Sequence, residues 1–235
     1  MNCQFSLCAK KHGVFGKNRK VEIYRLTPDL ELRSEITVKK SRFIAVVRRV
    51  ENVTAARNFI AEIRQEFPDA RHHCSAYRIS VRGAQDITNS SDDGEPSGTA
   101  GKPILEVINT RQLTDTAIVV VRYFGGTLLG TGGLVRAYTE APAQTLHGAQ
   151  LWKEQIFQQL EVSLPLDAAG RIEAGLRRSK YEITALDYQS EKVVITFLAD
   201  DCNEAAAYLG ELRGAETEVK FQKMAYKEVA AGIIS

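Results

Sequence analysis

Apolar positions along the chain fall into runs of two periods, and these predict the elements. Phe43-Ile44-Ala45-Val46-Val47, inside residues 36–50, reads as a strand. Phe59, Ile60, Ile63 and Phe67 then recur at helical spacing, with Thr54 placed to cap the helix and Pro68 to stop it. Residues 72–81 (HHCSAYRISV) predict a second strand. Between Gly83 and Gly101, Gly94, Gly98 and Pro96 break any period, so a long loop is expected, of the kind that is usually functional. Residues 104–108 fit a short helix or a strand equally well. Residues 116–123 (TAIVVVRY) hold an Ile-Val-Val-Val run, the mark of a buried strand. Glycines at 125, 126, 130, 132 and 133 follow at once. A helix is expected from about Leu134, carrying Val135, Tyr138 and Ala141, with Pro142 kinking or shortening it.

The last third repeats the pattern in a different order. Residues 159–164 alternate like a strand, and Asp167 can cap a helix over AAGRIEAGLRR. Residues 181–188 and 192–198 are two strands joined by a polar turn at 189–191. Asn203 can cap a helix over EAAAYLGELRG, and residues 218–224 form a closing strand. The order β-α-β-β-α-β within about 70 residues is the ferredoxin-like split pattern. The expected fold class is therefore α/β (α+β) in two domains, divided near residues 149–157.

Composition and charge narrow the setting. The 235 residues are ordinary globular material, and no apolar run approaches the roughly 18 residues of a membrane span. Basic residues at 10, 11, 17, 19 and 20 have no apolar run behind them, so no secretory signal is expected and residues 1–24 read as a tail. Cys3, Cys8, Cys74 and Cys202 are widely spaced without a Cys-x-x-Cys, which disfavours disulfides or a zinc site and fits a reducing cytoplasm. The formal charge of +2 hides an asymmetry: residues 1–35 and 36–155 each carry +3, and residues 156–235 carry −4. If RNA is bound, the front of the chain is the candidate.

Three groups can carry chemistry. Arg122-Tyr123-Phe124-Gly125-Gly126 with Gly130, Gly132 and Gly133 stands between a buried strand and a helix, where glycine lets backbone N–H groups approach an anion. Arg122 can supply a phosphate fork, Lys102 and Arg136 add charge, and Tyr123 or Phe124 can stack on bases if exposed. The bland reading of the same glycines is a tight turn that permits close packing. No Walker motif or dinucleotide fingerprint is present. Asp92, Asp93 and Glu95 form an acidic loop that can face a hard cation or simply be a solvated turn. His72 and His73 precede Cys74 on a strand, with His72 and Cys74 on one face and His73 on the other. No catalytic triad, metal site or cofactor signature is legible, and the chain leans away from being an enzyme.

Four blocks of this sequence resemble the IMPACT/YigZ family of bacteria and eukaryotes. They are Asp69 to Cys74, Ser91 to Pro103, Val119 to Gly126 and Leu128 to Tyr138. The resemblance is strong over residues 34–150, looser over the split βαβ region, and does not reach residues 1–24. It implies an extension over residues 1–33, an IMPACT-type domain over 34–150 and a ferredoxin-like domain over 157–228. The first domain would be an α/β sandwich similar to domains of ribosomal proteins and elongation factors. In eukaryotes the family regulates translation under amino-acid starvation. Together with the basic front of the chain, the resemblance points to a cytoplasmic translation regulator that acts as a binding module for RNA or a ribosome-associated partner. The competing readings are an enzyme acting on a phosphorylated small molecule or nucleotide through the glycine turn and acidic loop, and a protein-interaction adaptor. The family supplies no catalytic residues to carry over.

Overall fold

A computed structural model describes residues 23–215 and 217–234. They fall into two compact units: residues 23–153 with 229–234, and residues 154–228. Both are mixed α and β.

In the first unit, strands β1 (Arg25–Leu26), β2 (Glu31–Val38) and β3 (Ser41–Arg49) precede helix α1 (Val53–Glu66). Strands β4 (His72–Ile79) and β5 (Ile87–Ser91), helix α2 (Gly101–Thr110), strand β6 (Thr116–Tyr123) and helix α3 (Thr131–Leu146) follow. The main sheet has the order β2-β3-β6-β4-β5, antiparallel throughout. β6 is central because its Ile-Val-Val-Val run can be buried on both faces. Val119 and Val121 meet Phe59 and Ile63 of α1, while Ile118 and Val120 meet Ile104 of α2 and Leu134 and Tyr138 of α3. The alternation of β3 serves the same two layers, with Phe43, Ala45 and Val47 on one face and Val46 on the other.

Several elements depart from the sequence expectation. The span read as an extension to residue 33 contains β1 and the start of β2, and Leu26 lies in the core. The expected loop over 83–101 contains β5, an exposed edge strand with no apolar alternation to betray it. Residues 104–108 are helical. α1 is capped by Asn52, which accepts the Ala55 N–H, rather than by Thr54. α3 begins at Thr131 and runs through Pro142 to Leu146, so the proline does not shorten it.

The second unit contains most of strand β7 (Gln150–Pro165), then helix α4 (Leu166–Arg178), strands β8 (Glu182–Tyr188) and β9 (Lys192–Ala199), helix α5 (Cys202–Arg213) and most of strand β10 (Val219–Ile233). β9 lies between β7 and β8, and β10 pairs with β7, giving the order expected of a split βαβ sheet. Leu160, Val162, Val193, Ile195 and Phe197 pack against Ile172 and Leu176 of α4 and Leu209 of α5. The cap of α5 is Asp201, whose carboxylate takes the N–H groups of Asn203 and Glu204; Asp167 lies in the first turn of α4, after the cap position. β7 and β10 are longer than expected. The first residues of β7 pair with β1, and Ile234, just beyond β10, exchanges backbone hydrogen bonds with Gly148 and Ala149 in the first unit.

Candidate functional site

The antiparallel register brings the marked residues to one end of the first unit's sheet. Arg42 stands opposite Tyr123, and Phe43 and His72 both stand opposite Arg122. The end of β6, the start of β4 and the turn between β2 and β3 are therefore neighbours. β5 runs back along β4 to Ser91, so the acidic loop starts from the same end.

The acidic loop turns inward. Asp92 accepts the N–H groups of Gly98 (2.8 Å), Ala100 (3.0 Å) and Gly101 (2.9 Å), so it caps α2 from across the loop. Burial alone would raise its pKa, but those N–H groups and the charge of Lys102 outweigh burial and hold the carboxyl below its usual range. Asp93 is likewise held low: against burial, it takes the His73 N–H (2.7 Å) and the Arg64 guanidinium (2.8 Å). The side chain of Glu95 is only 4% exposed and receives Arg122 Nη1 at 2.6 Å and the Tyr138 hydroxyl at 2.9 Å. The cation-binding reading of Asp92, Asp93 and Glu95 is thus replaced by a structural one, because each carboxylate faces the protein's own donors. Among the described residues no group of three or more His, Cys, Asp or Glu side chains could hold a metal ion.

The histidines occupy opposite faces. His72 Nδ1 lies 2.8 Å from the Asp93 carbonyl and His73 Nε2 lies 3.0 Å from the Phe67 carbonyl. A carbonyl only accepts, so each of these nitrogens carries a proton. His72 Nε2 then faces Glu95 at 3.9 Å. Cys74, on the same face, lies 2.9 Å from the Asp92 carbonyl and 3.3 Å from the Tyr138 hydroxyl. Burial pushes its thiol up to about 12, far from a nucleophile's range.

Arg122 is not an open phosphate fork. Its side chain is 8% exposed and pairs with Glu95, and its Nε has no hydrogen-bond partner among the described residues. The guanidinium lies 5.4 Å from the Phe43 ring and 5.7 Å from the Phe124 ring. Tyr123 points to the other face, 5.3 Å from the Arg42 guanidinium. Phe124 is the aromatic that reaches solvent, at 48% exposure, and Leu128 in the following loop is 83% exposed.

The glycines divide between packing and freedom. A Cβ on Gly125 would come within 2.0–2.4 Å of the Lys40 and Ser41 backbone, and the Gly125 N–H donates to Ser41 Oγ. Gly125 therefore lets the chain after β6 lie directly against the β2–β3 turn. Gly126 and Gly130 have positive φ, Gly130 occupying the cap position of α3. Gly132 is open, and Gly133 rests on Leu129. Lys102 and Arg136 are exposed on α2 and α3.

Two residues without any sequence signal complete the site. Lys39 and Lys40 form the two-residue turn between β2 and β3, with φ of 46° and 64°. Both are exposed, and neither forms an ion pair among the described residues; the same holds for Arg71, just before β4, and Arg136. Lys39, Lys40 and Arg71 thus lie at the end of the sheet from which Phe124 emerges, and the carboxylates of Asp92, Asp93 and Glu95 there are internally bonded.

This arrangement defines a two-unit α/β protein whose first unit presents a built surface at one end of its sheet. Residues 39–146, which include this whole surface, match the Impact N-terminal domain. The chain is 37% identical over 202 residues to IMPACT family member YvyE of Bacillus subtilis, covering 85% of this chain and 92% of that protein. It is 41% identical over 156 residues to IMPACT family member YigZ of Escherichia coli, covering 65% and 75%. A crystal structure described as that of a hypothetical protein superposes with a TM-score of 0.52 at 35% identity, covering 84% of this chain and 96% of the other. The chain belongs to the IMPACT family.

Proposed function

We propose that the protein is a regulator of translation that acts as a binding module, and that the basic end of its first unit contacts RNA. The observation that carries this reading is the pair Lys39-Lys40. Two lysines occupy left-handed turn positions that Asn-Gly would fill with less strain, they have no ion-pair partner among the described residues, and Gly125, next to Phe124 in the chain, packs on the Lys40 backbone. Lysines held in this conformation cost stability relative to Asn-Gly. Basic side chains beside a half-exposed ring suit a phosphate backbone with accessible bases. Family membership supports the translational setting.

The test is sedimentation with ribosomes and fluorescence anisotropy with ribosomal RNA fragments, in a salt series. Wild type should bind, with affinity falling steeply as salt rises. Lys39→Glu with Lys40→Glu should weaken binding across all RNA sequences. A milder Lys39→Gln with Lys40→Gln variant should flatten the salt slope by about 1–2, since each phosphate that the protein no longer neutralises removes about 0.7–0.9 from the slope. Absence of binding by wild type at low salt, or unchanged binding by the double glutamate variant, would overturn the reading.

A further inference from the structure

We infer that Phe124 is a stacking platform for an unpaired base, so that the RNA bound at this end is single-stranded; this rests on the RNA reading above. Three features support the assignment. First, the ring is held from behind. Arg122 and Phe124 are two residues apart, and the guanidinium lies 5.4 Å from the Phe43 ring and 5.7 Å from the Phe124 ring. Glu95 fixes that guanidinium through Nη1, and Tyr138 fixes Glu95. Arg122 Nε is buried without a hydrogen-bond partner among the described residues, so the ring contacts and the Glu95 pair are what hold the guanidinium.

Second, the backbone under the ring has little freedom to collapse onto the core. Gly125 is seated against Lys40 and Ser41 so closely that no side chain fits, and its N–H is bonded to Ser41 Oγ. Phe124 keeps nearly half its surface in water although its neighbour Arg122 is buried and Tyr123 is partly buried. A ring that is exposed and already ordered loses little entropy when a flat ligand covers it.

Third, the charge beside the ring selects the ligand. The Lys40 backbone adjoins Gly125, Lys39 is the other residue of the same turn, and both are free of carboxylate partners among the described residues. A base attached to a phosphate backbone satisfies ring and lysines together. A duplex offers only phosphates, because its bases are already stacked on one another. The geometry therefore discriminates between strands, tolerating any base, since each has a π-face.

The experiment uses the full chain with a short fluorescein-labelled single-stranded RNA, the same sequence as a duplex, and a single strand carrying 2-aminopurine. Wild type should bind the single strand at least about tenfold more tightly than the duplex and should change the 2-aminopurine emission. Phe124→Ala should weaken single-strand binding by about five- to a hundredfold, the loss of one stacked base, and leave duplex binding unchanged. Phe124→Trp should restore both affinity and emission change. Equal affinity of wild type for the two forms, with Phe124→Ala binding the single strand as wild type does, would overturn the platform. The RNA reading would survive that result if Lys39→Glu with Lys40→Glu abolished binding to both forms. Wild type binding neither form would overturn both. A thermal melt of Phe124→Ala within a few degrees of wild type excludes misfolding, as a half-exposed ring leads one to expect.

Discussion

On the proposed function, Lys39 and Lys40 set RNA binding against stability at single residues. A two-residue hairpin turn with positive φ at both positions favours Asn-Gly, because a Cβ in the left-handed region is strained. Lys39→Asn with Lys40→Gly should therefore stabilise the protein, by about 1 kcal/mol, while weakening RNA binding. Urea melts and the anisotropy assay check the two halves separately. A variant that gains stability and keeps full affinity would show that the lysines are incidental. Cys74 makes the contrasting point. Its thiol sits beside a histidine in sequence, yet burial holds it protonated and the Asp92 carbonyl and Tyr138 hydroxyl surround it. It should resist iodoacetamide at neutral pH in the native protein and react once urea unfolds the chain.

At the scale of elements, α2 depends on one carboxylate outside it. Its own cap residue, Ala100, has no side chain to accept a hydrogen bond, and Asp92 supplies the acceptor. Because the Asp92 carboxyl is held below its unfolded value, its contribution is complete above about pH 4, the range of an unfolded aspartate. It is lost as pH falls through the lower folded value. Asp92→Ala should cost about 1–2 kcal/mol at neutral pH, and the gap from wild type should narrow as the solution is acidified, followed by thermal melts. This cap also shows what a sequence can reveal. The Val run of β6, the apolar spacing of α1 and the β-α-β-β-α-β order of the second unit are legible because burial writes them as periodicity. β5 is not, since an exposed edge strand of Ile-Thr-Asn-Ser-Ser has no buried face to write. The site is half legible for the same reason. Asp92, Glu95, Arg122 and His72 stand out by type and spacing, but spacing does not say that Glu95 meets Arg122 or that Asp92 meets a helix. Lysines in a turn look like any solvated charge until the fold sets the Lys40 backbone against Gly125.

At the scale of the whole molecule, the first unit is discontinuous in sequence. Residues 229–234 belong to it, and Ile234 is buried in its core with its backbone bonded to Gly148 and Ala149. Ile234→Ala should cost about 2–5 kcal/mol, the usual penalty for an apolar truncation in a core. Ending the chain after Glu228 should lower the melting of the first unit while leaving the packing of Ile172, Leu176 and Leu209 in the second unit intact, which amide hydrogen exchange would resolve. This layout also fixes an order of events during synthesis. Domains form as they emerge from the ribosome, earlier sequence ordinarily first. Here the segment that closes the first unit is translated only after all of residues 154–228, so the inserted unit has its complete sequence while its host still waits for Ile234. The surface that carries Lys39 and Phe124 belongs to a unit that the ribosome finishes late.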